Sequence, residues 1–267
     1  MDRKIKIISS LALLTALTAC QVNTPATPIG NTQTSAVPVS AQLTRAQSAD
    51  GGYISWREHI IDDPSHGVPD LSGSDGLAMA DLDQDGYLDV VSVHESDTTY
   101  HGQPIGYVRI AWGSDDPDVW QRTTLASGPE AAAAEDVSIA DANGDGFDDI
   151  VVSAELAHLI YFQNPGPAQA RKQAWPRTIP ALTQERGSYI RVFFADFDQD
   201  GRPEVVAPNK GAQNPALDQP QAKLNISIYH LPAEPLTGAL WREQLLTRVQ
   251  VPINSEPVDL DGDGDLD

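Results

Sequence analysis

Short apolar runs rich in Val and Ile set the rhythm of this chain from about residue 76 onward. Leu88, Val90, Val91 and Val93 form one; Val137 and Ile139 another; Ile150, Val151 and Val152 a third; Leu159, Ile160, Tyr161 and Phe162 a fourth. Each is too short for a helix, β-branched, and bounded by Gly, Asp or Pro, so each predicts a strand. One full unit can be read directly. Strands are expected at 135–140, 150–153, 159–162 and 173–179, with Asn164, Pro165 and Gly166 marking the turn after the third. Longer Gly-, Pro- and Asp-rich insertions at 94–105 and 209–222 are expected to be surface loops.

Between the first and second strand of each unit lies a segment of fixed polar pattern. Asp81, Asp83, Asp85 and Asp89 have Gly86 between them; Asp141, Asn143, Asp145 and Asp149 have Gly146. Asp196, Asp198, Asp200 and Glu204 have Gly201, and Asp259, Asp261, Asp263 and Asp267 have Gly264. Oxygen side chains therefore occupy positions 1, 3, 5 and 9, with Gly at 6. A hard cation such as Ca2+ takes six to eight oxygens, and alternate residues of a tight loop aim side chains at one point. Gly at 6 permits the sharp turn. Position 7 would offer its backbone carbonyl, so its side chain is free to vary, as it does among Tyr87, Phe147, Arg202 and Asp265. Helix–loop–helix calcium sites need Glu at position 12. Here that position holds Ser92, Val152 and Ala207, and the flanks read as strands. The plainer alternative is four acidic hairpin turns, but turn chemistry does not require acids at all four positions, and clustered like charges repel without a cation. Ca2+ is the expected cofactor.

The loops begin at 81, 141, 196 and 259, spacings of 60, 55 and 63 residues. Trp56, Trp120, Trp175 and Trp241 recur in step, each ahead of a loop. A period near sixty with four short strands points to an array of small sheets, and a propeller is the first candidate. The regular Trp positions are expected to pack between sheets rather than to stack on sugars. Trp112, out of that register, is the weaker candidate for either role.

The acid loops, the Val-Val runs after them, and the Trp strands resemble the FG-GAP/VCBS repeat family. Its members form β-propellers, often seven-bladed, with a Ca2+ loop between the first two strands of a blade; integrin α-subunit propellers carry related loops. The resemblance implies an all-β fold, a β-propeller of four-stranded blades. Complete blades are expected at 76–125, 136–179 and 189–246, with an extra Trp strand at 53–61 and part of a fourth blade after 246. A truncated seven-bladed propeller is the expected architecture.

Net charge is −21. Four Ca2+ ions would bring it to about −13, so the loops explain much of the acidity. The balance argues against nucleic acid, which needs clustered Lys and Arg. At the N-terminus, Arg3, Lys4 and Lys6 precede an apolar run from Ile7 to Ala19 that is too short to span a bilayer. Leu17, Thr18, Ala19 and Cys20 resemble a bacterial lipobox, which makes 1–19 a lipoprotein signal peptide and Cys20 the lipidation site. Gln21 after it favours the outer membrane over inner-membrane retention. Residues 20–50, rich in Thr, Pro and Ser, read as a flexible tether, and 51–267 as the repeat region. Cys20 is the only cysteine, so no disulfide forms within the chain.

Candidate ligand-facing residues follow the second strands: His94 and Glu95, Glu155, and Asn209 with Lys210. In a propeller these positions share one face. The expected role is an extracytoplasmic binding or adhesion module for a protein or polysaccharide ligand, not an enzyme. The alternative is a carbohydrate-active enzyme, a polysaccharide lyase or hydrolase, using such residues, with His158, for acid–base work.

Overall fold

The computed structural model describes residues 45–54, 58–68, 71–96, 105–156, 158–215 and 222–267. The signal peptide, Cys20, most of the tether and Trp56 lie outside them. The chain divides into a unit at 1–58 and one at 59–267. In the first, Gln47 and Tyr53 form a single antiparallel bridge around a turn closed by Gly51 N–H donating to Ser48 O at 2.9 Å. The strand expected at 53–61 is not formed among the described residues: Tyr53 makes only that bridge, and 58–61 are irregular.

The second unit is all-β, built as three four-stranded antiparallel sheets, with helix limited to three 3-10 turns at Gly128–Ala131, Ala181–Thr183 and Gly238–Leu240. The first sheet runs β1 (Ser74–Ala80), β2 (Asp89–His94), β3 (Tyr107–Trp112), β4 (Gln121–Ser127). The second runs β5 (Ala134–Ala140), β6 (Asp149–Ala154), β7 (His158–Phe162), β8 (Arg177–Thr178), and the third β9 (Phe193–Ala195), β10 (Glu204–Pro208), β11 (Lys223–His230), β12 (Arg242–Gln250). Each is a meander in sequence order, the arrangement expected of a blade. The strand read at 173–179 shrinks to two residues. Pro176 cannot donate to a ladder, and the Trp175 indole turns inward to give its N–H to Ala170 O at 3.0 Å.

The second strands β2, β6 and β10 are buried along their whole length, because sheets or loops cover both faces. The period of two then divides their side chains between neighbours. In the middle sheet, Ile150, Val152, Ile160 and Phe162 join a core with the first sheet. Val151, Leu159 and Tyr161 join a second core with the third sheet. Trp175 belongs to the first core and Trp241 to the second, where its ring meets Tyr161 edge-on at 6.1 Å. Both therefore pack between sheets as the repeat predicts. Trp120 is only half-buried, its indole N–H given to Pro117 O at 2.8 Å. Trp112, the one out of register, is among the most deeply buried side chains, with its N–H on Thr123 Oγ1 at 2.8 Å.

Strand β1 lies beside β5, and β5 beside β9. Gly76 makes the first approach possible: a Cβ there would sit 2.6 Å from Asp136 Cα. Between β5 and β9 the gap is bridged by Val192 N–H to Asp136 Oδ2 at 3.1 Å and Phe194 N–H to Ser138 Oγ at 3.0 Å. All three first strands thus run side by side with their acid loops at the same end.

Candidate metal loops and the opposite strand ends

The four acid loops share one hydrogen-bond scheme, and it explains the sequence pattern. The position-1 carboxylate gathers backbone amides: Asp81 accepts from Asp85 N and Gly86 N, and Asp196 from Asp200 N and Gly201 N, at 2.9–3.1 Å. Asp141 and Asp259 do the same within their loops. The position-5 carboxylate accepts from the amide of position 7: Asp85 from Tyr87, Asp145 from Phe147, Asp200 from Arg202, Asp263 from Asp265. Gly86, Gly146, Gly201 and Gly264 all have φ between 88° and 96°. Position 4 is left-handed as well, with φ of 56° at Gln84, 76° at Gly144, 58° at Gln199 and 78° at Gly262. Two glutamines there carry backbone strain that Gly would not. Both spend their amides on the next loop: Gln84 Nε2 donates to Gly146 O at 2.9 Å and Gln199 Nε2 to Gly264 O at 3.0 Å. The sequence gives no hint of these links between loops.

Position 9 starts the second strand and returns to the loop. Asp89, Glu204 and Asp267 accept from the amides of Leu82, Phe197 and Leu260 at 2.9–3.0 Å. The other Asp89 oxygen takes Gly113 N at 2.8 Å, and Asp149 takes Asn164 N at 2.8 Å and the Tyr161 hydroxyl at 2.6 Å. These acids therefore staple the loop closed; each oxygen still has a second lone pair to offer. Burial raises Asp89 to about 6 and Asp149 to about 7, while their hydrogen-bond donors pull the other way. Burial also raises Glu204.

Asp81, Asp83 and Asp85 bring carboxylate oxygens within 4.8 Å of one another, as do Asp196, Asp198 and Asp200, and Asp259, Asp261 and Asp263. In the second loop Asn143 takes position 3 and gives its amide to Asp145 Oδ2 at 2.8 Å. The donor set is oxygen only, which suits Ca2+. One atom argues that something fits inside: Asp83 Oδ1 is buried without a hydrogen-bond partner, and a buried charged oxygen left alone is costly. The other Asp83 oxygen is paired with Arg171, whose Nη2 also holds Asp85 Oδ2 at 2.6 Å. Arg171 comes from the β7–β8 connection and stacks over Trp112, 5.1 Å from the ring centre. Among the described residues no basic side chain is paired with Asp196, Asp198 or Asp200. Arg202 instead gives Nη2 to Ala142 O at 3.2 Å.

The far ends of the second strands converge as the repeat predicts. Glu95, Glu155 and Lys210 occupy one repeated place, each giving its backbone N–H to a residue ahead of the first strand: Gly73, Ala133 and Ser188, all at 2.8 Å. Glu95, Glu135 and Glu155 hold oxygens within 4.8 Å. Lys210 is paired with Glu155, and Gln213 Nε2 donates to Glu155 Oε2 at 3.0 Å. Burial, then the charges of Glu155, Asp75 and Glu95, push Glu135 up to about 8. Glu135 and Asp75 sit where the register of β5 and of β1 slips; a bulge re-aims a side chain, and no composition signal marks it. The remaining expected members are held by hydrogen bonds of their own. Asn209 accepts from Ser188 N and Gly211 N and donates to Arg186 O. His94 is buried with Nε2 on Ser92 Oγ at 3.0 Å, and burial lowers it. His158 Nε2 meets Glu130 O at 2.7 Å.

Residues 81–152, from the first acid of the first loop through most of β6, match the family model described as an FG-GAP-like repeat. Over that stretch the chain is similar to an FG-GAP-like repeat, and its four-stranded antiparallel sheets are consistent with the blades of such repeats. No curated protein matches the chain.

Proposed function

We propose that this protein is a Ca2+-binding β-propeller module, lipid-anchored outside the cytoplasm, that presents a rigid surface to a protein or glycan ligand. The observation that carries the reading is the repeated trio of carboxylates, within 4.8 Å in three loops, with the orphaned Asp83 oxygen among them. Asp81, Asp83 and Asp85, Asp196, Asp198 and Asp200, and Asp259, Asp261 and Asp263 would hold the ions, with Asp141, Asn143 and Asp145 in the second loop. Asp89, Asp149, Glu204 and Asp267 would close each site. Bound Ca2+ supplies charge balance, and the chain's own amides already hold the loops in shape. The fourth loop is tied to the third by Gln199 as the second is to the first by Gln84, which supports a further blade after β12. Exposed Leu77 and Met79 on β1 suit a neighbour before the first sheet, in keeping with a larger, seven-bladed ring.

Calorimetric titration of the full chain with Ca2+ tests the metal. Saturable binding is expected, with poor substitution by Mg2+, which demands tighter octahedral geometry. No heat at millimolar Ca2+ would return the loops to acidic turns. The anchor rests on the sequence of the first twenty residues; among the described residues no helix is long and apolar enough to cross a membrane. Cys20→Ser should move the protein from the outer-membrane fraction to the soluble extracytoplasmic one, and continued sedimentation with membranes would rule out the lipobox.

A second reading, a carbohydrate-active enzyme, draws on Glu135 and Glu155. A carboxyl pushed up to about 8 beside one paired with Lys210 has the split character of an acid–base couple. Turnover of an acidic or neutral polysaccharide, lost in Glu135→Gln and in Glu155→Gln with the fold intact, would favour it; glycan binding without turnover would favour the module.

A further inference from the structure

The third loop differs from the first two in one respect that oxygen chemistry does not explain. Its position-9 acid is Glu204, and the group that meets it is the imidazole of His230, the last residue of β11. In the first two sheets the corresponding oxygen is held by a backbone amide, Gly113 N on Asp89 and Asn164 N on Asp149. In the third, His230 Nδ1 faces Glu204 Oε1 at 3.4 Å. Asp198 completes the group: Asp198, Glu204 and His230 all bring a ligand atom within 4.8 Å of one another.

The tautomer of His230 follows from its other nitrogen. Nε2 lies 2.9 Å from Gln244 Oε1. A carbonyl oxygen only accepts, so Nε2 carries the proton and Nδ1 of the neutral ring presents a lone pair. Nδ1 lies 3.4 Å from a carboxylate oxygen, another acceptor. Two acceptors at 3.4 Å repel each other, and a cation between them, either a second proton on the ring or a metal ion, would relieve this. The separation is long for a charge-assisted hydrogen bond, which runs about 2.7–2.9 Å. It matches two ligands of one tetrahedral ion: with Zn–N and Zn–O near 2.0–2.2 Å, adjacent ligands sit roughly 3.3–3.5 Å apart. A ligating His commonly gives its second ring N–H to a carbonyl or carboxylate, which is what Gln244 provides.

We propose that His230 Nδ1, Glu204 and Asp198 form a mixed nitrogen–oxygen site for a first-row divalent transition metal, Zn2+ in the first instance, with water free to fill the remaining position. Imidazole favours this class of ion, whereas Ca2+ takes oxygen ligands. The site does not require the Ca2+ reading, although Asp198 and Glu204 belong to both donor sets.

The test is titration of the full chain with Zn2+ by calorimetry, and with Co2+ as an optical probe of tetrahedral geometry. The wild type is expected to bind one ion with a visible Co2+ band. His230→Ala, at a partly exposed ring, should weaken that binding at least tenfold and abolish the band, and Glu204→Gln should act in the same direction. Gln244→Leu, which touches no metal, should weaken it about 10–100-fold. His59→Ala with His66→Ala, at two other His–Asp pairs, should leave it unchanged. Melting of each variant without metal serves as the folding control. Equal Zn2+ binding by wild type and folded His230→Ala, or loss on changing His59 and His66 instead, would overturn the site and leave the Ca2+ titration untouched. A His230–Glu204 contact bridged by a proton alone would show as no Zn2+ or Co2+ binding in the wild type.

Discussion

Two groups of three carboxylates, at opposite ends of the same strands, face the same electrostatic problem. At the loop end Asp81, Asp83 and Asp85 lie within 4.8 Å; at the other end Glu95, Glu135 and Glu155 do. The far end balances itself, because Lys210 is paired with Glu155 and Glu135 is pushed up to about 8 and keeps its proton at neutral pH. The loop end does so unevenly. Arg171 pairs with Asp83 and Asp85 in the first loop, while Asp196, Asp198 and Asp200 of the third loop are paired with no Lys or Arg among the described residues. Clustered acids are therefore no single signal. What separates a cation site from a balanced polar cluster is whether the chain supplies the countercharge itself.

Removing Ca2+ is the strongest way to break this comparison. A ligand at a hundred times its Kd adds about 2.7 kcal/mol per site, which for a unit of this size is roughly 5–10 °C in Tm. Chelation should lower Tm by that order or more, with the loss concentrated at the loop end. Hydrogen exchange resolves the place: amides of 196–204 should lose more protection than those of 81–89, and those near Glu135 and Lys210 should be unmoved. Equal loss at both ends would remove the distinction.

Point changes divide the loops next. Asp200→Ala and Asp85→Ala each delete a position-5 acid and its bond to a position-7 amide. Asp200→Ala should lower the Ca2+-dependent part of Tm by about one site's worth and leave the first loop's binding intact, since repeat units act mainly on neighbours. Asp85→Ala should cost less in Ca2+-dependent stability, because the first loop already holds a resident cation. Equal effects, read by differential scanning with and without chelator, would show that Arg171 makes no difference.

Arg171→Met tests that cation directly. Met keeps an apolar chain against Trp112 and removes the charge. Without metal the variant should be less stable by on the order of 1 kcal/mol, since the pair is half-buried and partly screened. With metal, the first loop should bind Ca2+ about tenfold more tightly, as the competing positive charge near its ligands is gone. Opposite signs in the two conditions are the mark of a competing countercharge. A fall in both would instead make Arg171 a residue that positions Asp83 and Asp85.

Most of this architecture is legible in the chain, and the parts that are not have physical causes. The loops and the strands on either side follow from local chemistry, because oxygens at alternate positions and Gly at 6 act within nine residues. The buried runs of β2, β6 and β10 announce themselves as Val- and Ile-rich. Trp175 and Trp241 fit their repeat, but Trp112 and Trp120 exchange importance, since burial depends on which neighbour sheet covers a position. Arg171 and His230 reach their loops across 88 and 26 residues from Asp83 and Glu204, beyond any spacing rule. Glu135 is placed by a bulge that the alternation of β5 conceals.

The last expected effect concerns the balanced end, and it is a slope rather than a step. Burial and the neighbouring Glu155, Asp75 and Glu95 raise Glu135 from its ordinary 4.5 to about 8. The folded state then holds a proton that the unfolded chain releases above about 4.5. Between pH 4.5 and 8 folding binds more protons than unfolding, so this residue's contribution to stability is full below 4.5 and is lost as pH rises through 8. Buried Asp89 and Asp149, also raised, add slope of the same sign in metal-free buffer, which is why the wild-type curve alone decides nothing. Glu135→Gln keeps the shape and a hydrogen-bonding end without a titrating proton. The difference between wild type and variant, from denaturant unfolding at intervals from pH 5 to 8.5, isolates the one group. The variant should gain on the wild type steadily across that range, and its gain should be the same with Ca2+ or with chelator, because Lys210 and the proton, not the metal, balance this end. A flat difference would mean that Glu135 is ionised throughout; a difference that vanishes with Ca2+ would join the two ends of the strands into one electrostatic system.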